Sequence, residues 1–136
     1  MDNKIKFQSK GEEAMWDYIS TYLAHNPKWK IIPHYYLPKS GFSYRAFADF
    51  ALFYQDELFI IIEVNGEEHY APIFGKEQYE RTRKRDEDER IWCLHNHIWL
   101  LVYDWIKGNM LYNDNYWDVS EDFEDTVADV ENFGRR

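Results

Sequence analysis

Two acidic residues stand in stretches that are otherwise apolar. Asp49 sits between Phe47-Ala48 and Phe50-Ala51-Leu52, and Glu63 closes the run Phe59-Ile60-Ile61-Ile62. The polar break Gln55-Asp56-Glu57 between the two runs predicts a β-hairpin. A three-residue turn there makes cross-strand partners equidistant from Asp56, so Asp49 meets Glu63 on one face of the sheet. Asn65 lies two residues beyond Glu63 and points to the same face. Burying two carboxylates side by side is costly, because each disfavours the charge on the other. A divalent cation removes that cost, and Mg²⁺ commonly takes one or two carboxylates together with waters and phosphate oxygens. Such an ion activates water and stabilises charge developing on phosphate, which is the chemistry of phosphodiester hydrolysis. The plainer reading places both acids on a solvated strand face, or pairs Asp49 with Arg45 two residues away.

These side chains need a scaffold, and the chain predicts one. Ser9 with Glu12 three residues on has the spacing of a capping box, and Met15, Ile19, Tyr22 and Leu23 recur at helical period until Asn26-Pro27. Residues 29–37 read as a strand made irregular by Pro33. Residues 44–54 and 58–64 read as the two arms of the hairpin, and residues 67–75 as a loop. Lys76 to about Leu94 reads as a highly charged helix, Ile98 to Tyr103 as a short strand, and Lys107-Gly108-Asn109 as a turn. Val119, Phe123, Val127 and Val130 mark a last amphipathic helix. The expected order is α-β-β-β-α-β-α, an α/β domain over residues 1–136 with a mixed central sheet of about four strands flanked by helices.

Three stretches in this order carry a resemblance. They are Ser9-Lys10-Gly11-Glu12-Glu13-Ala14-Met15-Trp16, then Tyr44 to Phe50 with Ile62-Glu63-Val64-Asn65-Gly66-Glu67-Glu68-His69-Tyr70, then Arg85-Asp86 ahead of Ile98-Trp99-Leu100-Leu101. Together they resemble the PD-(D/E)XK, or restriction-endonuclease-like, nucleases, and most closely the very-short-patch-repair and EDxHD homing-endonuclease branch. The resemblance implies a restriction-endonuclease-like fold and Mg²⁺- or Mn²⁺-dependent cleavage of DNA. It also implies roles: Glu12 as the helix acid near the metal, Asp49 as main metal ligand, and Glu63 flanking the metal or orienting water. His69 becomes an acid/base or phosphate contact, and Asp86 a further acid or a support for His69. Asn65 stands where the wider pattern has Lys, and Asn supplies neither a charge nor a base. On residue type alone, Glu12 is equally the back-bonding half of a capping box, His69 a surface histidine, and Asp86 part of a solvated helix face.

Composition bounds the rest. Trp, Tyr and Phe make up 26 of the 136 residues, enough for one packed core. The lone Cys93 excludes a disulfide framework and a cysteine-rich zinc site, which a mismatch-repair enzyme of this branch would usually carry. No apolar run is long enough to span a bilayer, and the N-terminus lacks the character of a signal peptide, so the expected setting is cytoplasmic without membrane association. The net charge of −9 is unusual for a protein that meets DNA, but most of the excess acid lies after residue 103. Asn65, Arg81, Arg83, Lys84 and Arg85 are the candidate substrate contacts, although i,i+4 ion pairing with neighbouring acids explains the four basic residues equally well. No appended DNA-reading module is evident, so DNA as partner implies a second copy of the chain or a targeting protein. The competing function is a catalytically silent nuclease fold that binds DNA or protein, using the acidic C-terminal region as a recognition surface.

Overall fold

The computed structural model describes residues 7, 9–37, 46–66, 72–106, 110–113 and 119–134. Eight elements follow one another: α1 (Lys10–Leu23), β1 (Trp29–Tyr36), β2 (Phe47–Tyr54), β3 (Glu57–Asn65), α2 (Lys76–His95), β4 (Trp99–Ile106), β5 (Met110–Asn113) and α3 (Val119–Phe133). The strands lie in the order β1-β2-β3-β4-β5. The pairs β1–β2, β2–β3 and β4–β5 are antiparallel, and β3–β4 is parallel. The parallel step needs a crossover, and the 20-residue α2 supplies it. The expected α/β domain with a mixed sheet and three helices is therefore present. The four expected strands form it, and the short β5 adds a fifth by folding back along β4. The predicted turn at 107–109 lies outside the described residues, as do positions 44 and 45 of the longer arm.

The first helix forms for a local reason. Ser9 caps α1 by accepting the backbone N–H of Glu12, as the capping-box spacing predicts. Met15, Ile19 and Leu23 then fall on one buried face of α1. They meet Phe50, Leu52, Ile60, Ile62, Val64, Leu101 and Tyr103 of the sheet and Phe123, Val127 and Val130 of α3. α1 and α3 thus cover one face. α2 covers the other, where Cys93 and Trp92 meet Ala51, Ile61, Leu58 and Leu100. The α1/α3 layer is the larger and holds most of the fully buried side chains; Phe50→Ala there should cost about 3–5 kcal/mol.

The hairpin departs from expectation in an informative way. Its turn has two residues, Gln55 and Asp56, both at positive φ (52° and 69°), the mark of a primed hairpin turn. Next to the turn, Tyr54 pairs with Glu57 and Phe53 with Leu58. Between Leu52 and Phe53 the register shifts, so that Leu52 pairs with Ile60 and Phe50 with Ile62. Phe59 is the extra residue, and it joins Ile60 in the α1/α3 layer, as a β-bulge requires. The bulge restores the register that a three-residue turn would have given, and it projects Asp49 towards Glu63 after all.

Candidate active site

Beyond Phe50 and Ile62 the link between β2 and β3 passes from backbone to side chains. The Asp49 N–H donates to Glu63 Oε1 at 2.6 Å, and the Val64 N–H donates to Asp49 Oδ2 at 2.8 Å. Here β2 stays registered to β1 through Tyr35↔Ala48, while β3 stays registered to β4 through Glu63↔Val102 and Asn65↔Asp104. The two middle strands diverge, and the two carboxylates bridge the opening. Each has one oxygen tied to the opposite backbone, which fixes its orientation.

α2 closes over this opening with more acid. Thr82, Asp86, Glu89 and Cys93 recur at helical spacing along its less exposed side, and Glu89 and Cys93 are buried. Burial, together with Glu89, Asp49 and Asp86, pushes the Glu63 carboxyl well above the usual range. Burial beside Asp49 and Asp86 lifts Glu89 to about 8, partly offset by its hydrogen bond with Glu63. Burial near Glu89 and Glu63 also raises the Cys93 thiol, so Cys93 is an inert core residue. Four acids, Asp49, Glu63, Asp86 and Glu89, therefore share one electrostatic neighbourhood. Burial and mutual repulsion thus favour a proton retained within the Glu63–Glu89 pair.

The remaining candidates are placed less centrally. Glu12 is 6 % exposed, with its carboxylate beside Ser9 Oγ (3.5 Å) and His34 Nε2 (3.6 Å). Asn65 is buried at the end of β3, in register with Asp104. Arg81, Arg83, Lys84 and Arg85 are exposed on α2. Within the helix Arg81 engages Gln78 (2.8 Å), Arg83 the Tyr79 hydroxyl and ring, and Lys84 Asp88 (2.9 Å). His69 and Arg45 lie outside the described residues.

Two residues of this region escaped sequence reading. Glu89 was hidden in a run of charges, although its spacing from Asp86 and Cys93 places it on the helix face that turns inward. His34 carries no sequence signal, because its position depends on a left-handed residue within β1. Among the described residues no group of three or more His, Cys, Asp or Glu is disposed to hold a metal ion. Two fixed carboxylates still fit Mg²⁺ or Mn²⁺, since Mg²⁺ keeps several waters and is often held by only one or two carboxylates plus phosphate. A cation would also offset the mutual repulsion that raises Glu63 and Glu89.

In comparisons with known proteins, no family model, no curated protein and no solved structure matches this chain.

Proposed function

We propose that this chain is a metal-dependent endodeoxyribonuclease that hydrolyses phosphodiester bonds, with Asp49 and Glu63 as its metal-holding carboxylates. The observation that carries the reading is the pair of reciprocal side-chain-to-backbone hydrogen bonds where β2 and β3 diverge. They hold two acids side by side, backed by Glu89 and Asp86, in a place where stability alone would favour apolar residues. A bound Mg²⁺ or Mn²⁺ would polarise a phosphate oxygen and lower the pKa of water. Asp49 and Glu63 keep their orientation through the Val64 and Asp49 N–H groups. Glu89, hydrogen-bonded to Glu63, would help to keep that carboxylate in the opening. Glu12, Asp86 and His69 keep the supporting roles that the resemblance implies, and Asn65 closes the β3 edge of the opening. DNA would approach along α2 past Arg81, Arg83, Lys84 and Arg85.

The test is cleavage of supercoiled, linear and branched DNA with Mg²⁺ or Mn²⁺, comparing the protein with Asp49→Asn. Metal-dependent cutting that the substitution removes supports the reading; equal cutting by both proteins sinks it. One observation favours the silent-binder alternative: some of the basic residues of α2 are paired with close acids, Lys84 with Asp88 at 2.9 Å and Arg90 with Glu87 at 2.6 Å. If the protein never cuts and binds no divalent ion, that alternative takes its place.

A further inference from the structure

β1 changes character at His34. Its backbone has φ of 51°, a left-handed conformation that non-glycine residues adopt at a cost. Side chains of a regular strand alternate faces, so residues 29, 31, 35 and 37 should share one face. They do not: Trp29 and Ile31 pack in the α1/α3 layer, while Tyr35 and Leu37 pack in the α2 layer. β2 inverts at the matching point, with Phe50 and Leu52 in the first layer and Ala48 in the second. The flanking pairs Pro33↔Phe50 and Tyr35↔Ala48 bracket His34 against Asp49. The pleat therefore inverts at the pair of positions that holds the main candidate metal ligand. The inversion also sends the two side chains different ways. Asp49 engages Glu63 on the α2 side, whereas His34 packs near Phe7 on the α1 side and sets Nε2 3.6 Å from Glu12 Oε1.

We propose that His34 is a positioning residue of the site: its left-handed backbone inverts the pleat at Asp49, and its imidazole sets a cationic partner, when protonated, within ion-pair range of the buried carboxylate of Glu12 on the α1 side of the sheet. The proposal rests on the nuclease reading only through Glu12 and Asp49 as site residues. Backbone strain of this kind persists only where the surrounding structure over-determines it, and it clusters at functional sites. Glycine accepts a positive φ at no steric cost. His34→Gly therefore keeps the inversion while removing the imidazole beside Glu12, and His34→Gln keeps a polar donor of similar reach.

The experiment reads two quantities on the full chain. The first is the relaxation that Mn²⁺ alone induces at side-chain resonances of Glu12, Asp49 and Glu63. In the unaltered protein all three should respond. In His34→Gly the thermal midpoint should be unchanged or higher, the responses at Asp49 and Glu63 should persist, and that at Glu12 should change markedly. His34→Gln should restore it. The second is cleavage. A reacting group misplaced by about an ångström can cost on the order of 100-fold, so His34→Gly should lower kcat by about tenfold or more with KM for DNA little changed. An unchanged Glu12 response together with an unchanged kcat overturns the His34 proposal and leaves the nuclease reading intact. A fall in kcat that tracks a lowered thermal midpoint, and that Gln fails to rescue, also overturns it. No Mn²⁺ response at Asp49 or Glu63 in the unaltered protein overturns both.

Discussion

The protein holds partly or wholly buried glutamates in two ways. On the α1/α3 side, Glu131 near the end of α3 accepts hydrogen bonds from Trp29 Nε1 (2.9 Å) and Asn26 Nδ2 (2.9 Å), and lies 3.2 Å from His25 Nε2. Burial pushes its pKa up, but these bonds outweigh burial and hold it below the usual carboxylate range. On the α2 side, Glu63 and Glu89 are more deeply buried and are surrounded by other acids, and both are pushed upward. Glu131 is a clasp that ties α3 to the α1–β1 turn. Glu63 and Glu89 form a cluster that weakens the fold near neutral pH. A group that is tolerated against stability is the better candidate for function.

The sharpest break of this contrast is at the acid cluster. Asp49→Asn should lower metal-dependent cleavage more than ~100-fold, since a metal's electrostatic help is worth several kcal/mol. The fold should survive, because the new amide oxygen can still accept the Val64 N–H. Circular dichroism alongside the cleavage assay checks both halves. Wild-type cutting by this variant would leave the cluster without its assigned role.

The clasp should behave in the opposite manner. Glu131→Ala removes a charged acceptor and leaves the largely buried Trp29 indole N–H without it, a loss of about 2–3 kcal/mol by chemical denaturation. Cleavage per folded molecule should not change. Because the folded pKa of Glu131 is depressed, its stabilisation is present above the unfolded carboxylate pKa and is lost as pH falls through the lower folded value.

A subtler effect separates the two groups by pH. Glu89 titrates in the folded protein at about 8, above its unfolded value. The folded state therefore binds more protons between these values, and stability falls as pH rises from about 5 to 8. Glu89→Gln should flatten that fall without abolishing it, since Glu63 is raised too, with a gain on the order of 1–2 kcal/mol at the upper end. Mg²⁺ should raise the thermal midpoint of the unaltered protein more at the upper pH than at the lower. Melting curves across this range, with and without metal, test it; a flat profile for the unaltered protein would contradict the shared neighbourhood.

The smallest effect belongs to the outer face of α3. Asp125 and Asp129 are exposed and lie across the sheet from Asp49 and Glu63. Neutralising both to Asn should change cleavage only a few-fold at low salt. The change should fade by physiological ionic strength, where the screening length is roughly 8 Å. Glu124 does not belong with them: it accepts a hydrogen bond from the Tyr18 hydroxyl, so it braces α3 against α1 instead of projecting freely. A salt-insensitive change in the Asp125/Asp129 variant would mean that these acids act by contact.

Much of this was written along the chain. The α1 cap, the boundaries of α2 and the apolar stripe of α3 depend on neighbours within a few residues, and local patterns of period and capping are enough to read them. The facing of Asp49 and Glu63 was also legible, although the turn behind it was not. The two-residue turn plus the bulge at Phe59 lands on the register that a three-residue turn would give, because both insert one residue between the arms. Tertiary structure alone decided the rest. Glu89 becomes a site residue only when α2 lies across the β2–β3 opening, and its helix is too uniformly charged to announce an inward face. Glu131 becomes a clasp only when the last helix meets residues more than a hundred positions earlier. His34 acquires its place from a pleat inversion that must match one in β2, and such a pairing of distant backbone irregularities leaves no mark in local residue pattern.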